Sequence, residues 1–226
     1  MEGKDHDEYI QLIYKNSSNM LELVNDILDV AKIESGKFSI KKQEGNIKNV
    51  IGDRVEFYSI VAKDANVSLQ SSFSEDIPEK SMFDQEGIEH VLNNLISNAI
   101  KYTNEKGEVK VVTFLHKGGG NVEEEAKKAG YTSQNPFPSK MVGDEKNQCL
   151  VVMVTDNGIG IEEEHIANVF TKFRQLDTKN AATKKQKGTG LGLVIAKGII
   201  EEHNGHIGVI SKIGVGSTFF FTIPVV

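Results

Sequence analysis

Residues 10–31 carry a heptad seam. Ile10, Ile13, Ser17, Met20, Val24, Ile27 and Ala31 follow one another at spacings of 3, 4, 3, 4, 3 and 4. That spacing predicts one long helix with a narrow apolar stripe. The opposite face carries Glu8, Lys15, Glu22, Asp29 and Lys32, and Gly36 follows the last periodic residue, where a helix end takes a left-handed residue. An isolated helix cannot bury such a stripe, so the seam needs a partner helix. Bundling with another chain is expected in preference to packing on this chain's own body.

Beyond Gly36 the periodicity changes. Phe38 and Ile40 alternate with Lys37, Ser39 and Lys41, which predicts a short strand. Asn46 is placed to cap a helix with apolar positions at Ile47, Val50, Ile51, Val55, Tyr58, Val61 and Ala62. A strand is expected over Val67–Phe73, and Asp84 caps a strongly amphipathic helix reaching about Tyr102. Further strands are expected at Val109–Leu115 and Leu150–Val154, and helices near Glu162–Phe173 and Leu191–His203. A closing hairpin of His206–Ser211 and Ser217–Ile223 turns at Gly214 and Gly216. Antiparallel hairpins mixed with helices predict an α+β fold, a two-layer sandwich with helices on one face of a sheet, preceded by the long helix.

Two stretches break this pattern. Residues 116–148 separate two strands that a hairpin would join in 2–5 residues, and they hold GGG, EEE and two of the four prolines. They read as an exposed insertion, a tolerated surface loop with little periodicity. Leu176–Lys187 is small, polar and bracketed by glycine, directly before a glycine run. It reads as a lid.

Composition excludes several classes of protein. No apolar run approaches the ~20 residues needed to cross a bilayer, and the start, MEGKDHDEY, is too polar for a secretory signal. One cysteine, Cys149, leaves no disulfide framework and no multi-cysteine zinc site, which fits a reducing, cytoplasmic setting. With 26 Lys+Arg against 32 Asp+Glu the chain has no cationic excess for nucleic acid.

Three local patterns carry chemistry. On the helix after Asp84, the residues Ile88, Val91, Leu92, Leu95, Ile96 and Ala99 share one side. His90, Asn94, Asn98 and Lys101 lie within about 80° of one another on the other side. Two asparagines four apart on a helix are costly for helix propensity, and carboxamide oxygens are hard ligands suited to magnesium. A plain polar face is the competing reading. Next, Asp156-Asn157-Gly158-Ile159-Gly160-Ile161 ends the apolar strand Leu150–Val154. It offers a carboxylate with little bulk behind it, able to accept a hydrogen bond from an exocyclic amine; an Asn-Gly turn is the alternative. Last, Gly188-Thr189-Gly190-Leu191-Gly192-Leu193 opens a helix and exposes backbone N–H groups to phosphate. The spacing is neither a dinucleotide fingerprint nor a P-loop.

In this order, the patterns resemble the catalytic domain of two-component sensor histidine kinases, in the gyrase, Hsp90, histidine kinase and MutL (GHKL, or Bergerat-fold) ATPase superfamily. HVLNNLISNAIKYT resembles the asparagine box, DNGIGI and GTGLGL the two glycine boxes, FTKF the phenylalanine box, and GHIGVISKIGVGSTFFFTIP the closing hairpin. The resemblance covers about Asp5 to Ile223. It implies binding of ATP with Mg2+. Asn98 would hold the metal ion, Asn94 would support it or the phosphates, Lys101 would contact the phosphate chain, and Tyr102 would pack by the nucleotide. Asp156 would receive the adenine amine, with Gly158 and Gly160 allowing close approach and Ile161 beside them. Thr218 would assist at the adenine through water. Phe170 and Phe173 would anchor the base of the lid, Arg174 would reach the terminal phosphate, and Gly188, Thr189, Gly190, Leu191 and Gly192 would let the lid fold over the triphosphate.

By the same resemblance, LVNDILDVAKIESGK is similar to the second helix of the dimerisation and phosphotransfer domain. The implied organisation is residues 1–36 as that helix and 37–226 as the catalytic domain, with an insertion at 116–148 and an ATP lid at 174–190. Nothing here is similar to the HELRTP-like stretch that carries the phosphoaccepting histidine, and His6, in KDHDEY, is not nominated for that role. The expectation is a chain shortened upstream of its phosphoacceptor, binding ATP without labelling itself. The implied partners are a histidine-bearing dimerisation domain, a response-regulator receiver domain and a second copy through the N-terminal helix. Two rivals are an ATP-hydrolysing clamp of the same superfamily and a non-catalytic nucleotide-binding scaffold. The clamp needs a glutamate one turn before the magnesium asparagine, where this chain has Asn94, and a carboxamide cannot take a proton.

Overall fold

The structure is a computed structural model that describes residues 2–135, 137, 148–174 and 189–225. Five strands form one sheet in the order β2-β4-β5-β7-β6, with β2 (Ser68–Phe73) parallel to β4 (Glu108–His116). β5 (Cys149–Asp156), β7 (Gly216–Pro224) and β6 (Ile207–Lys212) continue it antiparallel. Helices α2 (Ile47–Asp64), α3 (Gln85–Tyr102) and α6 (Gly192–Glu202) accompany the sheet. Their Ile51, Ile88, Leu92, Leu95 and Ile195 share one core with Val152, Val154, Phe219 and Phe221 of the sheet. This is the expected α+β sandwich.

The capping residues act as their side chains predict. Asn46 Oδ1 accepts from the backbone N–H groups of Lys48 and Asn49, at 2.9 and 3.3 Å, and Asp84 Oδ1 accepts from Gly87 N at 3.0 Å. The other oxygen of Asp84 accepts from Lys41 N at 2.6 Å. His203 ties the far end of α6 to this cap. Its Nδ1 lies 2.7 Å from the Ile199 carbonyl and its Nε2 accepts the Asp84 N–H at 2.9 Å, so the ring is the neutral tautomer with its proton on Nδ1. Burial holds its pKa below the ordinary histidine value.

Helix α1 (Glu2–Glu34) ends at Gly36, whose φ is +64°. Its seam is uncovered: Ile10, Ile13, Met20, Val24 and Ile27 are 45–70% exposed. A second stripe, Asp26, Val30 and Ile33, is the one turned inward. Asp26 and Val30 are buried, and Ile33 sits where a Cβ on Gly198 of α6 would meet it at 2.5 Å.

Three local expectations are corrected. The strand after Gly36 is not Phe38–Ile40 but β1, Gln43–Gly45, which pairs antiparallel with β3 (Ser81–Phe83); Phe38 instead packs sideways on the core. The helix expected over residues 162–173 is only α5, Glu163–Ile166. After it, Asn168, Val169 and Thr171 donate to carbonyls three residues back, the pattern of successive tight turns rather than an α-helix. The exposed-insertion reading of 116–148 fails for the described part. Asn121 caps helix α4 (Val122–Lys128), and Ala126, Ala129 and Tyr131 are buried with Val112, Phe114, Met153 and Phe220 on the face of the sheet away from α3. The rest of that stretch, 136 and 138–147, lies outside the described residues.

Replacing His203 with Ala should cost about 2–4 kcal/mol in urea unfolding, because it opens a cavity and orphans the Asp84 N–H. A depressed histidine pKa adds stability above the unfolded value near 6.5 that is lost as pH falls. The gap between wild type and variant should therefore narrow below that pH. A gap that widens there would contradict the neutral-ring assignment.

Candidate nucleotide site

The site forms where the C-terminal ends of α3 and β5 meet the start of α6. β5 has alternating faces: Val152 and Val154 point into the helix-side core, and so does Asp156 two residues on. Asp156 is 5% exposed. Its Oδ1 accepts from Gly158 N at 2.9 Å and from Ser217 N at 3.2 Å, while Oδ2 has no hydrogen bond among the described residues. Burial pushes its pKa up to about 6, against the lowering effect of those two N–H groups. A carboxylate with one oxygen fixed and the other free is an acceptor looking for a donor.

The glycines beside it are sterically required. A Cβ on Gly158 would lie 2.2 Å from the Tyr102 carbonyl, which accepts from Ile159 N at 3.1 Å. Gly160 has φ +71°, and a Cβ there would lie 2.1 Å from the Lys212 carbonyl. These contacts fasten the loop after β5 to the end of α3. Ile161 is buried, and its N–H donates to Ser211 Oγ at 2.7 Å. Ser211 in turn donates to the Gly216 carbonyl and lies 2.9 Å from Ser217 Oγ.

On α3, Asn94 and Asn98 are half-buried. Asn94 Nδ2 donates to the His90 carbonyl at 3.1 Å, which turns its Oδ1 outward to a point 2.0 Å from where a Cβ on Gly192 would lie. Asn98 has no hydrogen bond among the described residues, leaving its oxygen available as a hard ligand. The Lys101 ammonium lies 5.0 Å from the centre of the Tyr102 ring. The start of α6 thus abuts the asparagine face. Leu191 is buried, Leu191 N donates to Thr189 Oγ1 at 3.2 Å, and Gly190 (φ +74°) accepts from Phe173 N at 3.1 Å through its carbonyl.

Two predicted residues are corrected. Thr218 pairs in register with Thr155, and their hydroxyls meet at 3.2 Å on the face of the sheet away from Asp156. Ser217, opposite Asp156, is the residue beside the carboxylate. Phe173 does not anchor the lid base: it is 69% exposed with φ +57°, whereas Phe170 packs edge-on against Phe219 at 6.5 Å. The Arg174 side chain is exposed and Gly188 lies outside the described residues. Two contacts have no signal in the helix pattern. Thr189 Oγ1 donates to Asp26 Oδ2 of α1 at 3.0 Å, and Lys172 pairs with Glu34 of the same helix.

Comparison with known proteins agrees with this geometry. Residues 83–226 match the model for the histidine kinase-, DNA gyrase B- and HSP90-like ATPases. Hybrid signal transduction histidine kinase B of Dictyostelium discoideum is 32% identical over 218 residues, covering 96% of this chain and 10% of that protein. The non-motile and phage-resistance protein of Caulobacter vibrioides is 35% identical over 217 residues, covering 96% of this chain and 22% of that protein. The crystal structure of full-length ShkA in complex with AMPPNP superposes with a TM-score of 0.72 at 21% identity, over 97% of this chain and 38% of that one. The chain belongs to the histidine kinase-, DNA gyrase B- and HSP90-like ATPase family. It spans a tenth and about a fifth of the two curated relatives just described.

The raised pKa of Asp156 fixes a sign. Its ionised form is penalised in the fold, so the stability it contributes is present below the unfolded value near 4 and lost as pH rises through about 6. Asp156→Asn should stabilise the chain by about 2–3 kcal/mol at pH 7.5, and the gain should vanish towards pH 4. Thermal or urea unfolding across that range checks it; a destabilised variant at neutral pH would contradict the burial penalty.

Proposed function

We propose that this chain binds ATP with Mg2+ between Asp156 and the Asn94–Asn98 face, and presents the terminal phosphoryl group to a histidine on a dimerisation helix. The single observation that carries this reading is the buried Asp156 carboxylate with one oxygen held and the other open. Adenine has an exocyclic amine to give to that oxygen.

Phosphoryl transfer asks the protein for positioning and charge balance, not covalent chemistry. Asn98, with Asn94 supporting it, would hold the metal ion, and their neutral oxygens suit an ion that keeps most of its waters. The ion, when bound, supplies charge neutralisation on the phosphate oxygens. Lys101 would add a point charge on the phosphate chain, and the segment ending at Gly192 would exclude water. The accepting imidazole must carry an unprotonated nitrogen, which an ordinary pKa near 6.5 provides at neutral pH.

The exposed seam of α1 supports a homodimer in which residues 1–36 act as the second helix of a dimerisation hairpin, and 37–226 as the catalytic domain. A response-regulator receiver domain is the onward acceptor in this reading, and the setting is cytoplasmic. No described helix is long and apolar enough to cross a membrane.

A calorimetric ATP titration with and without magnesium, on wild type and Asn98→Ala, tests the site. Wild type should bind more tightly with magnesium, and the variant should lose about tenfold or more of that gain. Paired with it, an added histidine-bearing dimerisation domain should acquire acid-labile phosphate from labelled ATP. Magnesium-independent binding unchanged by the substitution, with no labelling, would sink the proposal.

A further inference from the structure

The two edges of the sheet are finished differently. On the β6 side the loop after β5 packs along the strand: Ser211 Oγ accepts from Ile161 N at 2.7 Å, a Cβ on Gly160 would strike the Lys212 carbonyl, and α5 lies alongside. On the other side, β2 pairs with β4 alone.

That outer edge has open hydrogen-bonding capacity. Ser68 N and Ser74 N donate to the Gly107 and Thr113 carbonyls, both at 2.9 Å, so the even-numbered residues turn their backbone groups to β4. Leu69, Ser71 and Phe73 therefore turn their N–H and C=O groups outward, where no hydrogen-bond partner among the described residues meets them. Edges of this kind are ordinarily blunted by a charge, a proline or a bulge. β2 reads SLQSSF in unbroken register with β4, and has none of the three.

A groove of about 380 Å³ opens at the start of this edge. Ser59, Ala62 and Lys63 of α2, Leu69 of β2, and Lys106 in the turn before β4 are among the residues that line it. Neither the Lys63 nor the Lys106 ammonium has an ion-pair partner among the described residues. No carboxylate lines the groove: Asp64 and Glu105, their neighbours in sequence, and Glu108, in register with Ser68, are outside its lining. So is every residue assigned above to the nucleotide. Two unpaired cations with no carboxylate between them favour an anionic group. Ala62 and Leu69 add an apolar floor.

We infer that the open edge of β2 is a docking site for an extended acidic segment of a partner protein, which adds to the sheet as a strand antiparallel to β2. Its backbone takes up the outward groups of Leu69, Ser71 and Phe73, and its acidic C-terminal end lies between Lys63 and Lys106. The direction follows from charge. An antiparallel strand brings its C-terminal end to Ser68 and the two lysines, whereas a parallel one would bring its N-terminal end there, and a terminal ammonium would meet like charge.

The probe is the peptide acetyl-TVTVDD with a free C-terminus, titrated into the full chain and followed by backbone amide NMR, with hydrogen exchange read at saturation. Saturable shifts are expected at Leu69, Ser71 and Lys106, with slowed exchange of the Leu69 and Ser71 N–H groups. An amidated acetyl-TVTVNN should bind about tenfold more weakly, and so should the probe to a chain carrying Lys63→Gln and Lys106→Asn. Asparagine tolerates the left-handed backbone at position 106, where φ is +65°. Ser71→Pro should abolish binding and leave the fold intact, because the N–H it removes faces away from β4. Four results each overturn the inference: no saturable shift, shifts without slowed exchange, affinity indifferent to both charge changes, or self-association of the free chain through β2, which would make a second copy the occupant. None of these readouts involves nucleotide, so failure here is separable from failure of the proposed kinase site.

Discussion

Everything at the candidate site depends on where one carboxylate is buried. Asp156 is withdrawn from water at the end of a fully buried strand, and two backbone N–H groups hold one of its oxygens while the other stays open. Burying a carboxylate is expensive, and its pKa is pushed up to about 6 even though the Gly158 and Ser217 N–H groups favour its ionised form. The surroundings are shaped to the same end. Gly158 and Gly160 let the loop pass against Tyr102 and Lys212, and Ser211 and Ser217 link the closing hairpin to the loop. A side chain at either glycine would drive the loop off the carboxylate.

The second constraint is mutual fit between two helices. Asn94 occupies the space a side chain on Gly192 would need, so this glycine serves close packing against the asparagine face. Farther out, Thr189 bonds Asp26 and Lys172 pairs with Glu34, so the long helix touches both ends of the stretch between Lys172 and Thr189.

Much of this was legible in the sequence because the informative residues break local rules. Paired asparagines on a helix, a carboxylate ending an apolar strand and alternate glycines before a helix are each costly unless something requires them. What the sequence hid has physical causes. Phe219–Phe221 fill both faces of β7, which erases the two-residue alternation, so Thr218 and Ser217 could not be assigned to faces until the register with Asp156 and Thr155 was seen. Helix α4 has seven residues and buries only Ala126, too little for periodicity to register, and it is held by the sheet it covers. Asp26, Val30 and Ile33 were masked by the stronger seam on the same helix. Phe173 looked like core by residue type, yet its left-handed backbone turns it to solvent.

The proposed function requires that Asp156 receive the base. Carboxyl-labelled NMR titration of Asp156, in the free chain and again saturated with Mg-ATP, measures this directly. The free carboxyl should titrate near 6, and a bound amine donor should stabilise the ionised form and bring it down to about 4 or lower. A value unchanged by saturating nucleotide would mean that the base lies elsewhere.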